Sequence, residues 1–104
     1  MDNDALEKKI QEKGLDAPRV TPPELEAKIK DVEYVKHITP SGKVLRWAVL
    51  DLVNGFAVVG SPSVSVSVEN DDEEVGEEVA YDNSLNEMWP LEGYLLQQKL
   101  FEEQ

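Results

Sequence analysis

Three sets of side chains in this sequence could do chemistry. The first is the run Glu69-Asn70-Asp71-Asp72-Glu73-Glu74-Val75-Gly76-Glu77-Glu78, with seven acids in ten residues. Asp71, Glu74, Glu78 and Asp82 are spaced three, four and four apart, which on a helix aligns them as one acidic ridge. Carboxylates at a helix start are also favoured by the helix dipole, so the first reading of the run is a solvated helix entry, with the ridge as a docking face the second. Its spacing lacks the Asp-x-Asp-x-Asp-Gly pattern and closing glutamate of a calcium loop. The second is His37, the one histidine. It stands on an expected strand with no serine or cysteine motif beside it, so it reads as a surface or half-buried strand residue. The third joins Arg19 and Arg46 to Trp47, Trp89 and Tyr94. Stacking plus a guanidinium contact is the minimum for holding a nucleotide-like anion.

None of these makes an enzyme. Adjacent exposed carboxylates do not provide the split acidities of a general acid–base pair. Gly55, Gly60 and Gly93 do not form a phosphate-cradling loop. With no cysteine there is no thiol nucleophile, disulfide or zinc ribbon. The expectation is a binding protein without catalytic residues, cofactor or metal.

Charge sharpens this. The 104 residues carry 22 acidic and 10 basic side chains, a formal charge of −12. Residues 1–50 hold nine of each sign, and residues 51–104 hold thirteen acids against Lys99. No basic side chain stands between Arg46 and Lys99. Such a surface disfavours direct binding of nucleic acid or an anionic membrane and favours a partner with a basic surface, as a nucleic-acid mimic would. No apolar stretch is long enough for a membrane span. Met1-Asp2-Asn3-Asp4 lacks the basic and apolar regions of a signal peptide, so a cytosolic location is expected.

The elements that must position these residues follow from pattern. The length suits one domain, 1–104. A short N-terminal helix is expected within 1–14, loosely docked, with Asp4 as cap, Leu6 and Ile10 on one face and Gly14 as stop. Thr21-Pro22-Pro23-Glu24 is a capping box, opening a helix with Leu25 and Ile29 buried and running to about Asp31. Val32–Thr39 and Val44–Val53 read as strands around a Pro40-Ser41-Gly42-Lys43 turn. Asn54-Gly55, with both residues at positive φ, turns into Phe56–Val59. Ser63–Val68 alternates serine and valine, compatible with a fourth strand, an edge strand or an extended lead-in. A helical period over Asp71–Trp89 draws apolar contacts from Val75, Val79, Ala80, Leu85, Met88 and Trp89. Pro90 then breaks it and opens a last helix with Tyr94, Leu95 and Leu96 partly buried. The fold class is α+β: a small antiparallel meander of three to four strands with helices before and after it.

Several segments occur in an order that resembles a known family. They are Gly14-Leu15-Asp16-Ala17-Pro18-Arg19-Val20-Thr21-Pro22, the Val53-Asn54-Gly55-Phe56 turn, Val75-Gly76…Val79-Ala80, and Trp89-Pro90-Leu91-Glu92-Gly93-Tyr94-Leu95-Leu96. The resemblance, over about residues 12–100, is to small tailed-phage proteins named for the gene-49 product of a coliphage and the gene-66 product of a Shigella phage. It implies a phage accessory protein and no catalytic residue or cofactor. In the family the positions of Glu77 and Glu78 are often basic, which makes the acidity here this member's own. The functional expectation is a protein that binds and blocks a host component, such as one of antiviral defence, through residues 69–82. An oligomer that traps a nucleotide-like signal and a minor virion protein are the alternatives.

Overall fold

The computed structural model describes residues 3–15 and 17–104. Met1 and Asp2 of the N-terminus, and Asp16 of the Gly14–Pro22 segment, lie outside the described residues. The elements run α1 (Asn3–Glu12), α2 (Pro22–Glu26), β1 (Ile29–Ile38), β2 (Val44–Leu52), β3 (Ala57–Val59), β4 (Ser63–Ser65), α3 (Glu73–Asn86) and α4 (Met88–Glu102). This is the expected α+β arrangement, an antiparallel four-stranded sheet flanked in sequence by helices.

β2 organises the sheet because its side chains alternate strictly. Val44, Arg46, Ala48, Leu50 and Leu52 are buried beneath the helices, while Leu45, Trp47, Val49 and Asp51 lie on the other face. β1 pairs with β2 from Ile29 to Ile38, with a register shift between Ile29 and Asp31, and sets Tyr34 opposite Ala48 and Val35 opposite Trp47. β3 and β4 share the other edge of β2: β3 covers Val49–Asp51 and β4 covers Val44–Arg46. Ser63–Ser65 is thus a true strand, but its serines turn inward. Ser63 is buried, whereas Val64 and Val66 are exposed. The inward side at this level is occupied by Arg46 and Asp71, which require hydrogen-bonding neighbours rather than valine.

Both hairpins use one device. In each, a residue pair closes a three-residue loop whose last residue is a left-handed glycine: Thr39 N–H donates to Lys43 O around Gly42, and Leu52 N–H donates to Phe56 O around Gly55. Gly42 and Gly55 have φ of 84° and 88°. Among the described residues no non-glycine has positive φ, so Asn54 does not enter the left-handed region expected of a two-residue Asn-Gly turn. Its Oδ1 instead accepts the Phe56 amide at 3.0 Å.

The helices depart from expectation at their ends. Thr21 and Glu24 form the reciprocal capping box, yet α2 stops at Glu26. Ile29 opposes Leu52 as the start of β1, because sheet pairing holds a β-branched residue better than one more turn of a five-residue helix. Asp4 lies within the first turn of α1 rather than at its cap. The far end of α1 closes as foreseen: Gly14 (φ 67°) and Leu15 donate to the Gln11 and Ile10 carbonyls. The break between α3 and α4 falls at Glu87, ahead of Trp89. Pro90 has no amide for the Asn86 carbonyl four residues earlier, and its ring would crowd that carbonyl, so α3 ends there.

The core comprises Leu25, Ala48, Leu50, Leu52, Val58, Ala80, Leu85 and Met88, with Val20, Ile29, Tyr81 and Trp89 packed against it. α3 meets β2 through Gly76, Ala80 and Ser84, small residues four apart that bring the helix close to the sheet. Val75 and Val79, expected inside, are consequently on its exposed side.

Candidate functional site: the acidic flank of α3

The flank is anchored from below. Arg46 occupies a helix-side position of β2 and is 4% exposed. Its guanidinium donates twice to Asp71, Nη1 to Oδ1 at 2.5 Å and Nη2 to Oδ2 at 2.7 Å. Ser65 Oγ donates to the same carboxylate at 3.1 Å. Gly76 leaves room for this pair, since a Cβ there would stand 2.8 Å from Arg46 Nη1. The bonds from Arg46, joined by that from Ser65, hold the Asp71 carboxyl below its ordinary range, and the same pairing raises Arg46 further. Asp72 then caps α3 by accepting the Val75 amide at 2.9 Å, with Glu73 and Glu74 in the first turn.

Of the four expected ridge residues, Glu74, Glu78 and Asp82 do align on α3, all exposed. Asp71 precedes the helix and is turned into the Arg46 pair, so it leaves the ridge and becomes its anchor. Two residues without a sequence signal join the flank. The Tyr34 phenol is pushed up by burial and by Glu77 and Asp82, and Tyr81 by burial, Glu26, Tyr34 and Asp82. Tyr34 shares the helix side of the sheet with Ala48, which it opposes on β2, and Tyr81 packs from α3 against the core, so the two rings flank the acidic side of α3. Strand and helix periods could place each ring on a face, but only the packing brings them together.

The expected ligand pocket does not assemble. Arg46 and Trp47 are consecutive on β2 and face opposite sides of the sheet. Arg19 binds Glu7 at 2.5 Å and ties α1 to the body. Trp89 packs on the core and borders a cleft with Leu6, Ile10 and Val20, while Tyr94 is 70% exposed beside a different one. His37 lies exposed on the helix-free face opposite Leu45. Among the described residues no three of His, Asp and Glu are grouped to hold a metal ion, and no helix is long and apolar enough to cross a membrane.

Residues 20–100 match the Phage protein (N4 Gp49/phage Sf6 gene 66) family. The chain belongs to this family. The match takes in the sheet, the Arg46–Asp71 pair, the acidic flank and the Trp89–Leu96 segment, and leaves α1 outside it. No curated protein and no solved structure matches the chain.

Proposed function

We propose that this phage protein works in the host cytoplasm as a non-enzymatic accessory factor. It binds and blocks a host component of the kind that serves antiviral defence, docking the acidic flank of α3 on a basic protein surface. One observation carries the reading. Glu74, Glu78 and Asp82 are exposed along one side of a helix, while Arg46, the last cation before Lys99, is consumed inside by Asp71. The flank therefore keeps its negative potential, with Lys36 of β1 the nearby cation that acts on Asp71. Tyr34 and Tyr81 add aromatic area of the type enriched at the centres of interfaces. Because Asp71 is pinned to the sheet, the carboxylates are presented on a fixed scaffold and lose little freedom on binding.

The test is a tagged pull-down from infected cells at low and high salt, with wild type and the Glu74→Lys/Glu78→Lys variant. A host protein with a basic surface should be captured by wild type at low salt, depleted at high salt and absent with the variant. Capture that ignores both salt and charge reversal overturns the proposal.

A further inference from the structure

We infer that α4 is a dimerisation helix, pairing antiparallel with α4 of a second copy of this chain. α4 is apolar on two sides, and only one is used within the protomer. Met88 and Trp89 pack on the core, and Leu96 and Lys99 border a cleft with Val20 and Lys28. The opposite side presents Leu91, Tyr94, Gln98 and Phe101, with Leu95 adjoining. Leu91, Tyr94, Leu95 and Phe101 are 40%, 70%, 56% and 63% exposed. A helix apolar on both sides belongs between two partners.

The spacing names the occupant. Positions 91, 94, 98 and 101 follow the alternating three- and four-residue steps of a two-heptad seam. Under a two-fold axis, antiparallel pairing sets Leu91 against Phe101 of the partner subunit, and Tyr94 against Gln98 of the partner subunit. This register also fills a cleft. Leu91, Tyr94 and Leu95 form one wall of a cavity of about 290 Å³, and Leu52, Asn54 and Phe56 of the β2–β3 hairpin form the other. Phe101 of the partner subunit arrives at Leu91 and so at this cleft. Phe56 and Val53 at the hairpin tip, 55% and 60% exposed, extend the apolar area.

The surface area agrees. The protomer exposes 7310 Å², against roughly 5,900 Å² for a compact monomer of its mass. The excess belongs to the whole elongated protomer, and its apolar part on this side lies on Leu91, Tyr94, Leu95 and Phe101 of α4 with Val53 and Phe56 of the hairpin tip. The radius of gyration, 16.7 Å, is likewise above the roughly 13 Å of a compact chain of this length.

Salt separates this interface from the acidic docking surface. Two copies each carrying −12 repel, so screening should tighten the dimer, whereas it should loosen a complex with a basic partner. The test is sedimentation equilibrium over a range of concentration at low and high salt, on wild type, Tyr94→Glu/Phe101→Glu, and Val35→Glu on the helix-free sheet face. Wild type and Val35→Glu should approach twice 11.7 kDa, more readily at high salt, and the α4 variant should stay monomeric. Since the chain lacks cysteine, Leu91→Cys and Phe101→Cys chains can be mixed and oxidised. The disulfide should form between the two variants and not between two Leu91→Cys chains. A monomeric wild type, a dimer that survives the α4 variant or is lost in Val35→Glu, or Leu91→Cys self-crosslinking overturns the inference.

Discussion

The hydroxyl of Ser84 donates to the carbonyl of Ala48 at 2.6 Å and accepts the amide of Gly60 at 2.9 Å, at a fully buried point. It stands where the β2 edge changes partner, between the stretch paired with β3 and the stretch paired with β4. A helix side chain thus completes the hydrogen bonding that the sheet leaves open. Ser84→Ala would leave the part-buried Gly60 amide without its acceptor and the buried Ala48 carbonyl without this donor, and should cost about 1–3 kcal/mol in urea denaturation. Gly60→Ala should cost at least as much, because its methyl would overlap the Asn83 carbonyl. A Ser84→Ala protein as stable as wild type would show that this bridge contributes nothing.

The Arg46–Asp71 pair makes stability depend on acid in a defined window. The folded carboxyl of Asp71 lies below its ordinary value of 3.8, so the pair stabilises fully above that pH and loses its contribution as pH falls through the folded value. The melting-temperature difference between wild type and Asp71→Asn should therefore be constant near neutrality and shrink below about pH 4. Taking the difference removes the background of the other carboxylates, whose mutual repulsion relaxes in acid. A difference that stays flat throughout would contradict the pair's role.

Local chemistry made much of this fold legible. The turn glycines, the Thr21–Glu24 box and the apolar β2 face could each be read from a few neighbouring residues. The misplacements have non-local causes. Val75 and Val79 looked like core because valine usually is, but the close approach of α3 to β2 is made by Gly76, Ala80 and Ser84. Ser65 turns inward to serve a polar pair whose members are 25 residues apart, and Ser63 shares its face of the strand. The acidity of the candidate site was visible as composition. The withdrawal of Asp71 from the ridge, and the arrival of Tyr34 and Tyr81 beside it, depend on strand register and helix placement that no short window contains.

α1 should be separable from the rest. It buries no residue completely, Leu6 is 46% exposed, and the helix lies outside the family match. Its polar tie is Glu7 to Arg19, an ion pair near the surface of the kind that adds little to stability. Amides of α1 should exchange hydrogen far faster than those of β2 and α3, through local opening without global unfolding. Truncation before Ala17 should lower the melting temperature only slightly. Protection of α1 equal to that of β2 would show that it unfolds with the core.

Gly76→Ala should change sign with its background. In isolation an alanine inside a helix is worth up to about 1 kcal/mol over glycine. Here the added methyl would meet Arg46 Nη1 at 2.8 Å and Cδ at 3.3 Å, and Arg46 cannot swing aside without giving up both bonds to Asp71. In the wild-type chain the substitution should therefore destabilise. In an Arg46→Ala chain the obstruction is gone, and the same substitution should stabilise by about 0.5–1 kcal/mol. Urea denaturation of the four proteins gives the coupling directly. If Gly76→Ala has the same effect in both backgrounds, the glycine is not there to admit the arginine.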